Sequence, residues 1–154
     1  MNLSHLRIEI TIGTQTLALW DGHRQVKQWP CSTSKFGLGF REGSNRTPLG
    51  AFRVAEKFGD GMSQRTIYKA RVPVGEWNSD HVTDEDLIVS RILWLDGCEP
   101  RNENTKSRYI YIHGTNEEHR VGQTGSHGCV RMRNADVAEL FDLVGCGAPV
   151  WIAE

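Results

Sequence analysis

The sequence predicts one mostly β domain with a single clear helix. Three observations carry that prediction. Short apolar–polar alternations recur along the chain, separated by Gly, Asn, Asp and Pro. Only one stretch, near the C-terminus, spaces its apolar residues at helical intervals. The length of 154 residues suits one domain, since domains run to roughly 100–200 residues.

Taken in order, residues 6–12 alternate as Leu6-Arg7-Ile8-Glu9-Ile10-Thr11-Ile12, the pattern of a strand with one buried face. Gly13 ends it. A second strand starts over 16–20. Asp21-Gly22 then predicts a hairpin turn, because glycine accepts the positive φ of a two-residue loop. A third strand over 25–29 stops at Pro30, so the opening reads as an antiparallel meander. Gly37, Gly39, Gly43, Ser44, Asn45 and Pro48 make 34–50 a loop. A strand resumes over 51–55. The pattern weakens from 59 to 86, with one strand expected over 67–72. Residues 87–95 are the most β-prone stretch, although their length also admits a short helix. A polar loop follows over 97–107, then a strand over 109–113 that ends in His113. Asn134 is a good helix N-cap, and Val137, Leu140, Phe141 and Val144 share one face. Gly145 is the natural stop, which gives a helix over 135–144. Val150-Trp151-Ile152 closes the chain as a short strand.

Composition narrows the function. Lys and Arg number 18 against 19 Asp and Glu, and no long basic block occurs, so nucleic acid is not an expected partner. No apolar run approaches the roughly 18 residues of a membrane span. The first seven residues lack the apolar stretch of a secretory signal. A cytoplasmic location is therefore expected, or a periplasmic one if a leader has been removed. Cys31, Cys98, Cys129 and Cys146 show no disulfide-framework spacing, and free thiols are expected. Cys31, Cys98 and Cys146 read as small core residues. His5, His23, His81 and His119 read as surface residues, and Trp77 and Trp94 as core or groove wall.

The reactive side chains concentrate in the C-terminal half. His113-Gly114-Thr115 is followed by Ser126-His127-Gly128-Cys129-Val130-Arg131-Met132. A free thiol has a pKa of about 8.5, so a cysteine nucleophile needs a base or a positive environment. A histidine held within hydrogen-bond reach supplies that base. Gly128 lets backbone amides approach a reacting carbonyl, where they face a developing oxyanion. The planar fork of Arg131 fits a carboxylate.

The Ser126-His127-Gly128-Cys129-Val130-Arg131 block, with His113-Gly114-Thr115 upstream, resembles the signature of the YkuD-type L,D-transpeptidase catalytic domain. Thr47-Pro48-Leu49-Gly50-Ala51-Phe52 is similar to a Thr-Pro-x-Gly-x-Phe segment of that family. The likeness runs from about residue 6 to 153. It implies a β-sandwich-like fold and a cysteine acyl-transfer enzyme without metal or organic cofactor. The implied substrate is a peptidoglycan tetrapeptide or muropeptide, attacked between the L-centre of meso-diaminopimelate and D-alanine. By the same likeness Cys129 is the nucleophile and His113 the base. The Gly114 carbonyl orients the imidazole, at a position that is often Ser in relatives. Gly128 and Cys129 give oxyanion amides, while Ser126, His127 and Arg131 bind substrate or shape the site. The missing export signal favours hydrolysis of recycled peptides over cross-linking. Three other readings stay open: zinc held by His113, His127 and Cys129, a sortase-like transferase, and a non-catalytic peptide-binding module. The His127-Gly128-Cys129 spacing is unusual for zinc. A sortase lacks the Ser-His-Gly-Cys block, and an intact Cys129 and His113 argue against a module without catalysis.

Overall fold

A computed structural model describes residues 5–80 and 83–154. His81 and the first four residues, on which two of the expectations above rest, lie outside the described residues. The described residues form β1 (Leu6–Thr11), β2 (Thr16–Asp21), β3 (Arg24–Pro30), β4 (Gly50–Phe58), β5 (Thr66–Lys69), β6 (Val72–Glu76), β7 (Ile88–Gly97), β8 (Tyr111–Thr115), β9 (Val130–Met132), α1 (Asn134–Leu143) and β10 (Pro149–Ala153).

The opening meander β1–β2–β3 is antiparallel, with Ile8 opposite Leu19 and Leu17 opposite Trp29. It does not stand alone. β10 joins β1 in parallel and β4 in antiparallel pairing, and β4 continues into β7. β7 pairs with β8 along its other edge, and β8 pairs in parallel with β9. Just past β3, Ser32 bridges Arg131 of β9, so the sheet curls until its two ends meet. This is the sandwich-like, mostly β architecture that the sequence predicts. Alternating residues of β1, with Leu17, Leu19, Phe52, Val54, Leu93, Leu95, Ile112, Val130 and Met132, fill the interior. The buried face of α1, through Val137, Leu140 and Phe141, packs into the same core. Lys57 closes the other end of α1 by donating to the Phe141 and Val144 carbonyls at 2.6 and 2.7 Å.

Several elements differ from expectation, each for a local reason. The strand expected over 67–72 is two strands, β5 and β6, joined by a turn at Ala70 and Arg71 with φ of 48° and 66°. The sequence offers no glycine there to mark it. The β-prone stretch 87–95 is strand as expected, but β7 runs from Ile88 on to Gly97 and is broken by a bulge in which Ser90 has φ of 76°. The strand expected to end at His113 starts two residues later and runs on to Thr115, because Tyr109 takes φ of 58°. His113 is therefore a mid-strand residue. β9 went unread because it is only three residues long. Arg133, not Asn134, is the N-cap of α1, and the Asn134 side chain instead accepts from Thr115 N–H at 2.8 Å. Gly145 follows a C-cap at Val144 and takes no positive φ. Cys31 is buried as expected, whereas Cys98 and Cys146 are exposed.

Candidate active site

Strand register builds the site. His113 pairs with Arg131 and Ile112 with Val130 across the parallel β8–β9 ladder. Side chains alternate along each strand. Ile112, Val130 and Met132 therefore face the core, while Tyr111, His113 and Arg131 face the other way, with Cys129 one step before β9 on that same side. His113 and Cys129 are diagonal neighbours on one face of the β8–β9 pair.

The imidazole is fixed by its own chain. His113 Nδ1 lies 2.5 Å from the Gly114 carbonyl oxygen. A carbonyl only accepts, so Nδ1 carries the proton and Nε2 keeps a lone pair for use as a base. Gly114 cannot be replaced cheaply here. A Cβ at that position would overlap Asn134 Oδ1 and the Val89 carbonyl, and come within 3.0 Å of Ser90 Cβ. A serine at this position does not fit this chain.

Cys129, the candidate nucleophile, sits on a tied loop. Ser126 Oγ donates to the Cys129 carbonyl at 2.6 Å and accepts from Gly128 N–H at 3.3 Å. Gly128 has φ of 121°, which requires glycine. The amide of Cys129 has no hydrogen-bond partner among the described residues, which leaves it free to face an oxyanion, whereas that of Gly128 is shared with Ser126. Thr47, fully buried, donates to the Gly128 carbonyl at 3.0 Å and accepts from Ser34 N–H at 3.0 Å. The threonine of the Thr47-Pro48-Leu49-Gly50 segment is thus the anchor of the nucleophile loop, a role its sequence context alone did not disclose. Thr47→Val keeps the shape and removes the hydroxyl, leaving two buried backbone groups unpaired. It is expected to destabilise by about 1–3 kcal/mol and to lower Tm by on the order of 5 °C, with a loss of kcat. Thermal melts and steady-state rates check this; an unchanged Tm and kcat would remove Thr47 from the site.

With this geometry in place, comparison with known proteins decides the family. The model of the YkuD L,D-transpeptidase catalytic domain matches residues 5–152. The chain belongs to that family. It is 28% identical over 145 residues to the L,D-transpeptidase family protein YkuD of Bacillus subtilis (strain 168), covering 94% of this chain and 64% of that one. It is 42% identical over 108 residues to YqjB of the same organism, covering 70% and 52%. The chain thus spans about half to two thirds of the length of these relatives. Among solved structures, an L,D-transpeptidase from Xylanimonas cellulosilytica superposes with a TM-score of 0.64 at 19% identity, over 96% of this chain and 60% of that one. One from Mycobacterium smegmatis does so with a TM-score of 0.62 at 15% identity, over 97% and 59%. These two likenesses carry the fold.

The electrostatics of this L,D-transpeptidase domain depart from a resting thiolate. Burial pushes the Cys129 thiol up to about 11, a rise that the Tyr111 N–H, Arg108 and Arg131 offset only in part and Asp86 reinforces. Burial likewise holds His113 below the usual imidazole value, against the Gly114 carbonyl and Asp86, which act upward. Both members of the pair are neutral near pH 7. No hydrogen bond joins them among the described residues. The thiol donates instead to the Tyr109 carbonyl and accepts from Tyr111 N–H, each at 3.3 Å. Catalytic hydrogen bonds in a free enzyme are often absent or long and form with substrate.

The remaining expected residues divide. Ser126 shapes the loop, as described. His127 packs on Phe36 and its Nδ1 sits 3.4 Å from Asp86. The zinc grouping of His113, His127 and Cys129 is therefore not assembled among the described residues. Arg131 is 1% exposed, with Nη1 held between Asp86 at 3.1 Å and Glu117 at 3.3 Å. Asp86 emerges as the residue that sequence reasoning missed: it joins Arg131 to His127 and lies close enough to act on both His113 and Cys129. No motif marks it.

The sign of the pH dependence follows. His113 must be neutral to accept a proton, and its pKa is lowered, so kcat/KM should fall only as pH drops below the usual 6.5. The alkaline limb should lie near 11, where Cys129 ionises and its proton is no longer available to the leaving amine. A pH–rate profile measures both limbs. An acid limb above 6.5 would contradict a buried, neutral His113.

Proposed function

We propose that this domain is a cysteine acyl-transfer enzyme that acts on peptidoglycan stem peptides and releases D-alanine through a Cys129 thioester. The observation that carries the reading is the shared strand face of Cys129 and His113, with the His113 tautomer fixed by the Gly114 carbonyl. Membership of the L,D-transpeptidase family supports the substrate class.

In the proposed first step, rotation about the Cys129 Cα–Cβ bond takes the sulfur from the Tyr109 carbonyl to His113 Nε2. The thiol proton passes to Nε2 while sulfur attacks the carbonyl at the L-centre of meso-diaminopimelate. The Cys129 amide donates to the resulting oxyanion, joined by the Gly128 amide once it leaves Ser126 Oγ. The His113 imidazolium then returns the proton to the D-alanine nitrogen as the C–N bond breaks, leaving a thioester. Water or a second amine attacks the thioester carbonyl while His113 takes the acceptor's proton; the C–S bond then breaks, and His113 returns that proton to the departing Cys129 sulfur, restoring the neutral pair. No step calls on a metal or organic cofactor. Ser126 and Arg131 act by holding the loop and the strand, and His127 lines the rim.

Hydrolysis, the L,D-carboxypeptidase outcome, is the proposed fate for a domain working on soluble muropeptides in the cytoplasm, in murein recycling. Cross-linking is the fate where it meets the wall in the periplasm. The test is to incubate the enzyme with tetrapeptide and disaccharide-tetrapeptide, with and without an acceptor amine, and read the products by mass. Tripeptide plus D-alanine supports hydrolysis; dominant cross-linked product overturns that choice. The absence of D-alanine release from any peptide overturns the function itself.

A further inference from the structure

We propose that Arg71 is the receptor for a carboxylate of the substrate peptide, held for that task on an aromatic shelf beside the nucleophile. The proposal rests on the stem-peptide reading above. It starts from a gap in the site. Such a peptide carries three carboxylates, yet Arg131, the arginine of the signature block, is 1% exposed: its Nη1 is shared by two carboxylates of the chain, and its Nε and Nη2, without partners among the described residues, are buried with it. Arg108 also lies near Cys129, but it donates to the Gly39 and Arg46 carbonyls and to Ser44 Oγ.

Arg71 differs from both. It sits at the tip of the β5–β6 hairpin, and its guanidinium reaches back over the outer face of β7 and β8. Its carbon lies 4.5 Å from the Trp94 ring centre and 5.5 Å from that of Tyr109. Nη1 donates to Tyr111 Oη at 2.9 Å, the only hydrogen bond of this side chain among the described residues. A guanidinium carries five N–H donors in a fixed fork, so most of them remain available. Its nearest carboxylate influence, Glu56, is paired with Lys106 at 3.0 Å.

Both tyrosines under Arg71 meet Cys129 through their backbone: Tyr111 N–H donates to Sγ, and the thiol donates to the Tyr109 carbonyl. The Cys129 and Trp94 side chains also pack on the apolar cluster that contains Tyr111, so the shelf adjoins the sulfur. Arg46, also close to the nucleophile loop, is exposed, and its side chain has no hydrogen bond to fix it among the described residues.

The backbone gives an independent sign that Arg71 is placed for a purpose. A two-residue loop between Lys69 and Val72 needs positive φ at both central positions, for which Asn-Gly is the favoured pair. This chain uses Ala70 and Arg71, at φ of 48° and 66°. The turn accepts strain at the residue whose side chain reaches the shelf.

Binding measured by calorimetry in the Cys129→Ala background separates this proposal from the chemistry. The probes are L-Ala-γ-D-Glu-meso-diaminopimelate-D-Ala and three versions of it, each with one carboxylate amidated: that of D-alanine, that of the diaminopimelate D-centre, or that of glutamate. Arg71→Met is expected to weaken the unmodified peptide by roughly 10- to 100-fold, the range of a charge-assisted pair. One amidated peptide should bind the parent just as weakly and be indifferent to Arg71→Met, which identifies the carboxylate. The double change Ala70→Asn with Arg71→Gly installs the favoured turn. It should keep or raise Tm while losing affinity as Arg71→Met does. Affinity within about twofold of the parent in either variant, or an equal loss by all four peptides on Arg71→Met, overturns the proposal. If peptides bind in this Arg71-dependent way but the wild-type enzyme releases no D-alanine from them, the functional reading fails and the Arg71 receptor stands. No measurable binding of any peptide to the parent overturns both.

Discussion

Replacing Cys129 by alanine is expected to reduce D-alanine release from a tetrapeptide to background, on the scale of the roughly 10⁶-fold loss in kcat seen when a catalytic nucleophile is removed. The fold should survive. Cys129 is half-buried, and its thiol contributes only two long hydrogen bonds, to Tyr109 and from Tyr111, each 3.3 Å. The loop that carries it is held by backbone and hydroxyl groups that the substitution leaves in place: Ser126 Oγ on the Cys129 carbonyl and Thr47 on the Gly128 carbonyl. An unchanged Tm with no turnover is the expected pair of results. Turnover preserved in Cys129→Ala would end the covalent mechanism. The other thiols offer no ready substitute: burial pushes Cys31 up to about 12, and Cys98 and Cys146 lie in other parts of the fold, next to Ala51 and past the end of α1.

Replacing His113 by alanine is expected to lower kcat/KM by roughly 10²- to 10⁴-fold, the range for loss of a general base. The residue is 3% exposed, so alanine also opens a cavity, and a second variant separates the two effects. His113→Gln fills most of the space but cannot cycle a proton. It should recover Tm without recovering rate. The readout specific to a base is the pH profile: the acid limb set by the lowered His113 pKa should vanish in both variants. A loss under about tenfold would mean that another group takes the proton. His127 is the nearest rival in sequence, but its Nδ1 faces Asp86 and its ring packs against Phe36.

Much of this arrangement was legible in the sequence, because its causes are local. The alternation of Leu6, Ile8 and Ile10 sets β1, and the spacing of Val137, Leu140 and Phe141 sets α1. The Ser126 to Arg131 block, with His113-Gly114-Thr115, carried the resemblance to the family to which the chain belongs. What stayed hidden depends on contacts between distant segments. The closure of the sheet through Ser32 and Arg131 joins residues far apart in the chain, and no local pattern encodes it. Asp86 acquires meaning only once β9 brings Arg131 beside it. The Ala70–Arg71 turn escaped notice because the usual turn residues are absent, and the start of β8 was misplaced because Tyr109 adopts a left-handed backbone. Arg131 shows the limit of reading chemistry from type alone. A guanidinium suits a substrate carboxylate, but here the fold supplies two of its own. The state of Cys129 belongs with these cases, since its protonation depends on the burial that the completed fold imposes.

The mechanism requires a covalent intermediate on one sulfur, and intact-protein mass spectrometry sees it directly. Enzyme mixed with tetrapeptide and quenched in acid within a turnover should gain the mass of the tetrapeptide less D-alanine. Peptide mapping should place that mass on Cys129, and hydroxylamine should remove it. Steady release of D-alanine with no such adduct at any time point, or an adduct mapped to another residue, would contradict the account.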